Sequence, residues 1–329
     1  KRGLGLAAFE SAAGTKRIVA CINETDDTHA RLMAWTGSGN FAELSGSNVL
    51  TADTDVNFEQ AANALYTFNG ASTCLKLASD GSTISTIGAT PIGKYAKWFH
   101  NYLFVAGNAT YPSRLYFSGV GTPETWGGSD YVDINPDDGD SITGFNVLGD
   151  ELIITKKNRI WALTGFTTAS FSVNKIAERI SGFGGVSHRS MVNIGNDLLF
   201  LSFIGTTPHI RSLQRTKYAV NVAGGVISEN IEGTMDGLNL TKLSGVAGIF
   251  DGRRVYMAVP NGSSSYNNLI IVYDTLLKGF VRWTGLNVAN WVISTISGRV
   301  KIYFQEASAD SKVYVLDTST SDNGAAIDF

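Results

Sequence analysis

A four-part motif recurs along this chain: an apolar run, a tight turn, a strongly apolar run, a variable loop, a third apolar run and a looser fourth. Its clearest copy covers residues 142–176, where Gly149-Asp150 turns into 151–155, Lys157-Asn158 turns again, and 159–163 is followed by 171–176. Further copies cover 191–231, 246–283 and 292–317 downstream, and 95–134, 64–87 and 17–44 upstream, making seven units. Their second runs begin near Arg17, Ala64, Tyr102, Glu151, Asp197, Arg254 and Val300, about 47 residues apart on average, which is the size of a propeller blade.

The second runs decide between β architectures. Leu152-Ile153-Ile154, Leu198-Leu199-Phe200-Leu201 and Tyr102-Leu103-Phe104-Val105 are apolar at consecutive positions, as in a sheet covered on both faces. In a barrel or a simple sandwich one face of many strands would be wet and the alternation cleaner, so blades stacked around an axis fit better. The expected fold is all-β, a β-propeller of four-stranded antiparallel blades, with seven blades; six or eight stay open because 58–87 lacks a clear first strand. Residues 14–329 then form a single β-propeller domain. Residues 1–13 form an N-terminal segment that could close the ring by completing the last unit, which has only 325–329 for its fourth strand. Only 7–13 and 57–66 have spacing that suits a short helix. Asn69-Gly70 and Asp251-Gly252 read as type I′ hairpin turns, since both central positions need φ > 0.

Composition removes several functions. Lys plus Arg number 26 against 29 Asp plus Glu, a formal charge of −3, and no Lys/Arg run is present. A phosphate-neutralising face, and with it nucleic-acid binding, is therefore not expected. No stretch approaches the roughly 18 apolar residues of a membrane-spanning helix. Cys21 and Cys74 lie inside apolar runs, where a thiol behaves as a small hydrophobe, although one disulfide between them stays open.

Candidate chemistry is sparse. His29, His100, His188 and His209 fall in four different units without a second ligand at metal spacing, and read as surface or loop residues. Gly3-Leu4-Gly5-Leu6-Ala7-Ala8 echoes a dinucleotide fingerprint but lacks the βαβ setting that gives it meaning. The acidic stretch Asp133-Ile134-Asn135-Pro136-Asp137-Asp138-Gly139-Asp140 invites calcium, yet an EF-type loop starting at Asp133 would need Gly at 138 and Glu at 144, where Asp138 and Gly144 stand. It reads as a solvated loop between blades. Ser79-Asp80-Gly81-Ser82-Thr83 resembles the Asp-box of sialidases without its closing Trp, and reads as a hairpin turn. Trp35, Trp126 and Trp283 could stack on sugars, but packing between blades accounts for them. No catalytic, cofactor-binding or metal residue is assigned, and no cofactor is expected.

Three clusters of residues carry a family resemblance. Arg114-Leu115-Tyr116-Phe117-Ser118-Gly119 with Thr122-Pro123-Glu124-Thr125-Trp126, then Gly139-Asp140-Ser141-Ile142-Thr143-Gly144, resembles tail proteins of the nozzle type in tailed bacteriophages. Residues 151–165, 182–190, 196–202 and 269–283 are similar to further segments of that family, so the likeness covers 95–283. It implies a non-enzymatic virion structural protein of the phage tail, like tail tubular protein B and tail-hub proteins. Such a chain forms a ring around the tail axis with copies of itself, a hexamer by the resemblance, and contacts adaptor or portal proteins. Family members are usually longer, with a platform built outside the propeller. The alternative is a carbohydrate-binding or glycosidase-type propeller acting in receptor recognition.

Overall fold

Short apolar runs separated by Gly, Asn and Asp form antiparallel meanders, because consecutive strands joined by a few residues can pair only in opposite directions. The computed structural model describes residues 3–24, 28–44, 48–176, 182–219, 221, 223–307, 311–316, 321–322 and 325–326. It is a seven-bladed β-propeller. Blade 1 comprises β1 (Gly3–Glu10), β2 (Lys16–Asn23), β3 (His29–Trp35), β4 (Ala42–Glu43) and β5 (Leu50–Thr51). Blade 2 is β6 (Asn57–Ala61), β7 (Ala64–Phe68), β8 (Cys74–Leu77) and β9 (Ile84–Ile87); blade 3 is β10 (Tyr95–Phe99), β11 (Tyr102–Ala106), β12 (Arg114–Phe117) and β13 (Tyr131–Asp133). Blade 4 is β14 (Ile142–Leu148), β15 (Glu151–Lys156), β16 (Ile160–Thr164) and β17 (Ser172–Lys175). Blade 5 has β18 (Val192–Asn193), β19 (Leu198–Ile204) and β20 (Thr207–Ser212), with a lone bridge from Arg211 to Val226 where a fourth strand would lie. Blade 6 is β21 (Ala247–Phe250), β22 (Arg254–Val259), β23 (Leu269–Asp274) and β24 (Gly279–Thr284); blade 7 is β25 (Val288–Ser294), β26 (Lys301–Glu306) and β27 (Val313–Val315). A hairpin of β28 (Ser321–Asp322) and β29 (Ala325–Ala326) follows. The short helices α1 (Leu213–Lys217) and α2 (Glu232–Asp236) lie in the connections of blades 5 and 6.

The core is divided among the seams between blades. On β11, Tyr102, Phe104 and Ala106 face blade 4 while Leu103 and Val105 face blade 2. On β15, Leu152 and Ile154 face blade 3 while Ile153 faces blade 5. Alternate side chains leave a strand on opposite faces, so an inner strand wedged between two neighbours must be apolar at every position.

Among the described residues the ring closes without strand exchange. Residues 3–10, left outside the first unit by the sequence reading, form β1, the innermost strand of blade 1, paired with β2 in register Phe9 to Arg17. β1 packs on β25 and β26 of blade 7. Leu6, Ile18 and Ala20 meet Tyr303 there, and the buried Gln305 donates from Nε2 to the Cys21 carbonyl at 3.0 Å. Gly3 is required at this seam, since a Cβ would stand 2.2 Å from Gln305 Cδ.

Four local expectations are corrected. Residues 7–10 are strand, with Ala7 and Phe9 packed in the seam with blade 2, and 57–66 are two strands joined at Ala62-Asn63, whose apolar side chains are shared between two seams; neither is helix. The two type I′ assignments also fail: neither Asn69 nor Asp251 has positive φ. Their carboxamide and carboxylate oxygens instead accept two following backbone N–H groups each, at Ala71 and Ser72 and at Arg253 and Arg254. Among the described residues the two-residue turns with both φ positive are Ala62-Asn63 and His100-Asn101.

Strand alternation also sorts the loops. Connections from first to second and from third to fourth strands emerge on one face, called here the hairpin face; the remaining connections emerge on the opposite face.

Candidate functional site

The innermost strands converge on the propeller axis, where a cavity of about 300 Å³ opens. Several first strands offer it polar side chains: Asn57 and Glu59 on β6, Lys97 on β10, Asn146 on β14 and Asn290 on β25. Lys97 Nζ stands 3.4 Å from Glu59 Oε2, and the Trp98 N–H donates to Glu59 Oε1 at 2.8 Å. Burial pushes the Glu59 carboxyl above its ordinary value, against the pull of Lys97. Asn146 donates to the Met191 carbonyl at 2.7 Å and Asn290 to Gln305 Oε1 at 3.3 Å.

Arg189 dominates the axis. It stands in the 3₁₀ turn His188–Ser190 leading into blade 5, yet its guanidinium bonds to the far side of the ring. Nε donates to Asn57 Oδ1 at 3.0 Å, and Nη2 donates to the carbonyls of Val56 at 3.0 Å and Leu4 at 3.3 Å. Nη1 lies 3.8 Å from Asp55 Oδ2. The planar fork suits this work, because it offers several donors in fixed directions.

His188 packs beside it, stacked on Tyr95 at 4.9 Å between ring centroids. Its Nδ1 accepts from the Phe145 N–H at 3.3 Å, which makes that nitrogen unprotonated. Burial first, then Lys97 and Arg189, pull the imidazole down to about 3. Gly144 permits the approach, since a Cβ there would lie 2.5 Å from the His188 Cα. His188, and His209 at 8% exposure, are therefore inside the fold rather than in surface loops. His29 begins β3 and His100 sits in its turn at φ 47°.

The acidic stretch is organised from within. Lys156, with a fully buried side chain, sends its ammonium into the loop and donates to Ser113 Oγ at 2.9 Å, the Asn135 carbonyl at 3.0 Å and Asp138 Oδ1 at 2.7 Å. Burial pushes the Asp138 carboxyl up, but hydrogen bonds from Lys156, Asn135 and the Asp140 N–H outweigh it and hold it below the usual carboxylate value. Asp140 accepts from the N–H groups of Ser141, Lys157 and Asn158, and Asp133 pairs with Arg114. A lysine of this chain thus occupies the centre of the oxygen cluster. Among the described residues no three His, Cys, Asp or Glu side chains converge as a metal site.

A second hollow, about 410 Å³, lies on the hairpin face between blades 2 and 3. There Tyr66 Oη and Lys76 Nζ both donate to Glu124 Oε1. Burial, then the Glu124 charge, push the Tyr66 phenol up, so it stays a donor. Ser79 to Thr83 is a turn in which Asp80 Oδ1 accepts from the N–H groups of Ser82 and Thr83. Trp35 stacks with Phe41, while Trp126 and Trp283 pack in the seams of blades 2 with 3 and 6 with 7. Cys21 and Cys74 are free and buried, with burial pushing both thiols up to about 12.

The axial residues were missed as a site by sequence reasoning. The signal was present: charged or carboxamide residues within the first strands of blades 2, 3, 4 and 7, with Arg189 the cation of residues 182–190.

No protein-family model matches the chain, and no curated protein does. Solved structures do. BamB from Moraxella catarrhalis aligns with a TM-score of 0.53 and 11% identity over 94% of this chain and 81% of that one. A chain of the mitotic checkpoint complex aligns at 0.54 and 10% identity over 95% and 90%. The Pan2 WD40 domain of Neurospora crassa aligns at 0.54 and 8% identity over 95% and 88%. At these identities the likeness establishes the propeller fold alone.

Proposed function

We propose that this chain acts by contact rather than by catalysis, as a structural subunit of a phage tail that surrounds the tail axis with copies of itself and meets adaptor or portal proteins. The observation that carries the non-catalytic reading is the use made of the buried charges. Arg189 bonds two backbone carbonyls and Asn57, Lys156 fills the acidic loop, Glu59 is tied to Lys97 and Trp98, and neutral His188 accepts from the backbone. Groups committed to the frame in this way are poor acids, bases and nucleophiles, which need freedom to exchange protons with a substrate. The tail assignment draws on the sequence resemblance over 95–283.

Cross-linking mass spectrometry of phage particles that carry the chain tests this reading. Cross-links between copies of the chain and to adaptor or portal proteins are expected. Absence of the chain from intact particles overturns it, and so does saccharide binding on a glycan array, which would favour a receptor-recognition propeller.

A further inference from the structure

Of the two cations that border the axial cavity, Lys97 keeps the greater bonding capacity. Arg189 is taken up by three hydrogen bonds and by Asp55. The Lys97 ammonium has a single partner among the described residues, Glu59 Oε2 at 3.4 Å, and its side chain stays 32% exposed. An ammonium carries three donors, so two remain for another acceptor. Glu59 is a weak counter-charge as well. The contact is longer than the roughly 2.7–2.9 Å of a good charged pair, and burial biases that carboxyl toward its neutral form.

Two carboxamides on the same cavity are incompletely matched. Asn290 is 4% exposed and donates from Nδ2 to Gln305 Oε1, but its Oδ1 accepts nothing from the described residues. A buried oxygen of this kind is nearly always bonded. Asn146 uses one N–H on the Met191 carbonyl and has a second to offer. Blades 3, 4 and 7 thus present a cation, a donor and an acceptor around one space of about 300 Å³. At about 30 Å³ per liquid water, that space admits a ligand of roughly a dozen heavy atoms. The charged and titratable groups around it are Glu59, Lys97, neutral His188 and the Arg189–Asp55 pair. Since Asp55 offsets Arg189, Lys97 can balance one negative charge but not two.

We infer that the axial cavity binds a small hydroxylated monocarboxylate, its carboxylate on Lys97 Nζ and its hydroxyl groups bonded to Asn290 Oδ1 and the Asn146 carboxamide. The ligand is held and not transformed. The inference does not depend on the tail reading, since it concerns the axis of one purified chain, and cross-links within a particle do not bear on it.

Titration calorimetry of the dialysed chain tests it, with gluconate as the probe, sorbitol as its neutral counterpart and inorganic phosphate as the other class of anion. Gluconate should bind one to one with a dissociation constant of about 1 mM or tighter, the scale for a ligand of this size. Sorbitol and phosphate should bind at least ten-fold more weakly. Lys97→Met should weaken gluconate at least ten-fold at an unchanged melting temperature, and Asn290→Ala by about three- to ten-fold. Glu59→Gln removes the rival carboxylate while keeping an acceptor for the Trp98 N–H, so it should tighten binding. Lys76→Met, in the hollow between blades 2 and 3, should leave it intact. No binding of gluconate by the parent chain, binding indifferent to Lys97→Met, or equal affinity for sorbitol or phosphate would each overturn it. If Lys97→Met lowers the melting temperature, Glu59→Gln decides: tighter binding supports the site, and unchanged or weaker binding overturns it.

Discussion

Two cations serve as hubs in this molecule, Lys156 fully buried and Arg189 half-buried, and they differ in how far they reach. Lys156 gathers Ser113, Asn135 and Asp138, all within 43 residues of it, and so fixes a local loop. Arg189 gathers Leu4, Val56 and Asn57, up to 185 residues away, and so joins the entrance of blade 5 to blades 1 and 2 across the axis. The chemistry is alike, a charged donor satisfying carbonyl and carboxylate or carboxamide oxygens. The sequence separation decides whether losing it should loosen a loop or the ring.

The largest expected effect comes from Arg189→Met, which leaves the Leu4 and Val56 carbonyls and Asn57 without this donor. It should cost about 3 kcal/mol, read as a shift of the denaturant midpoint, with the unfolding of all seven blades affected together. Lys156→Met should cost about 2 kcal/mol, less because the Asp138 carboxylate can turn toward water. Adding Asp138→Asn to it should recover part of the loss. Full additivity of the two changes would show that Lys156 and Asp138 do not act as a pair.

The axis should also be the more acid-sensitive region. His188 is neutral when folded down to about pH 3, whereas the unfolded chain protonates near pH 6.5. Between those values the unfolded state binds the extra proton, so stability falls as pH drops, by about 1.4 kcal/mol per unit. His209 is also pulled down, by burial first, and adds in the same direction. His188→Asn should flatten the slope in urea titrations between pH 6.5 and 4, leaving the part due to His209. An unchanged slope would place the acid sensitivity elsewhere.

The smallest effect concerns turns. Gly70 and Gly252 both have positive φ, but a Cβ at Gly70 meets Lys94 Cγ at 2.5 Å while one at Gly252 meets nothing within 4 Å. Gly70→Val should therefore lower the melting temperature more than Gly252→Val, by the equivalent of about 1 kcal/mol.

Much of the fold was legible in the sequence, because propeller blades are built from local meanders. The second strands begin at Lys16, Ala64, Tyr102, Glu151, Leu198, Arg254 and Lys301, each within one residue of its expected position. Consecutive apolar residues such as Leu152-Ile153-Ile154 announced packing on both faces, and the seams confirm it. What escaped was whatever depends on long-range geometry. Residues 57–66 carry helix-like spacing, but Ala62 and Asn63 take positive φ and break it into two strands. Asn69 and Asp251 sit where a type I′ turn looks natural, yet their side chains cap the turn instead. His188 and Arg189 look like loop residues until the ring brings β6, β10 and β14 around them. Lys156 has the apolar neighbours of a core position and a charge that only the loop 133–140 can satisfy.

The account rests most heavily on the ring being held across its axis by Arg189 rather than by an exchanged strand. Hydrogen exchange measured by mass spectrometry on the parent and on Arg189→Met tests this directly. Faster exchange in β1 and β6, far from residue 189 in sequence, with β15 and β16 unchanged, is the expected result. Acceleration confined to residues 187–193 would contradict it.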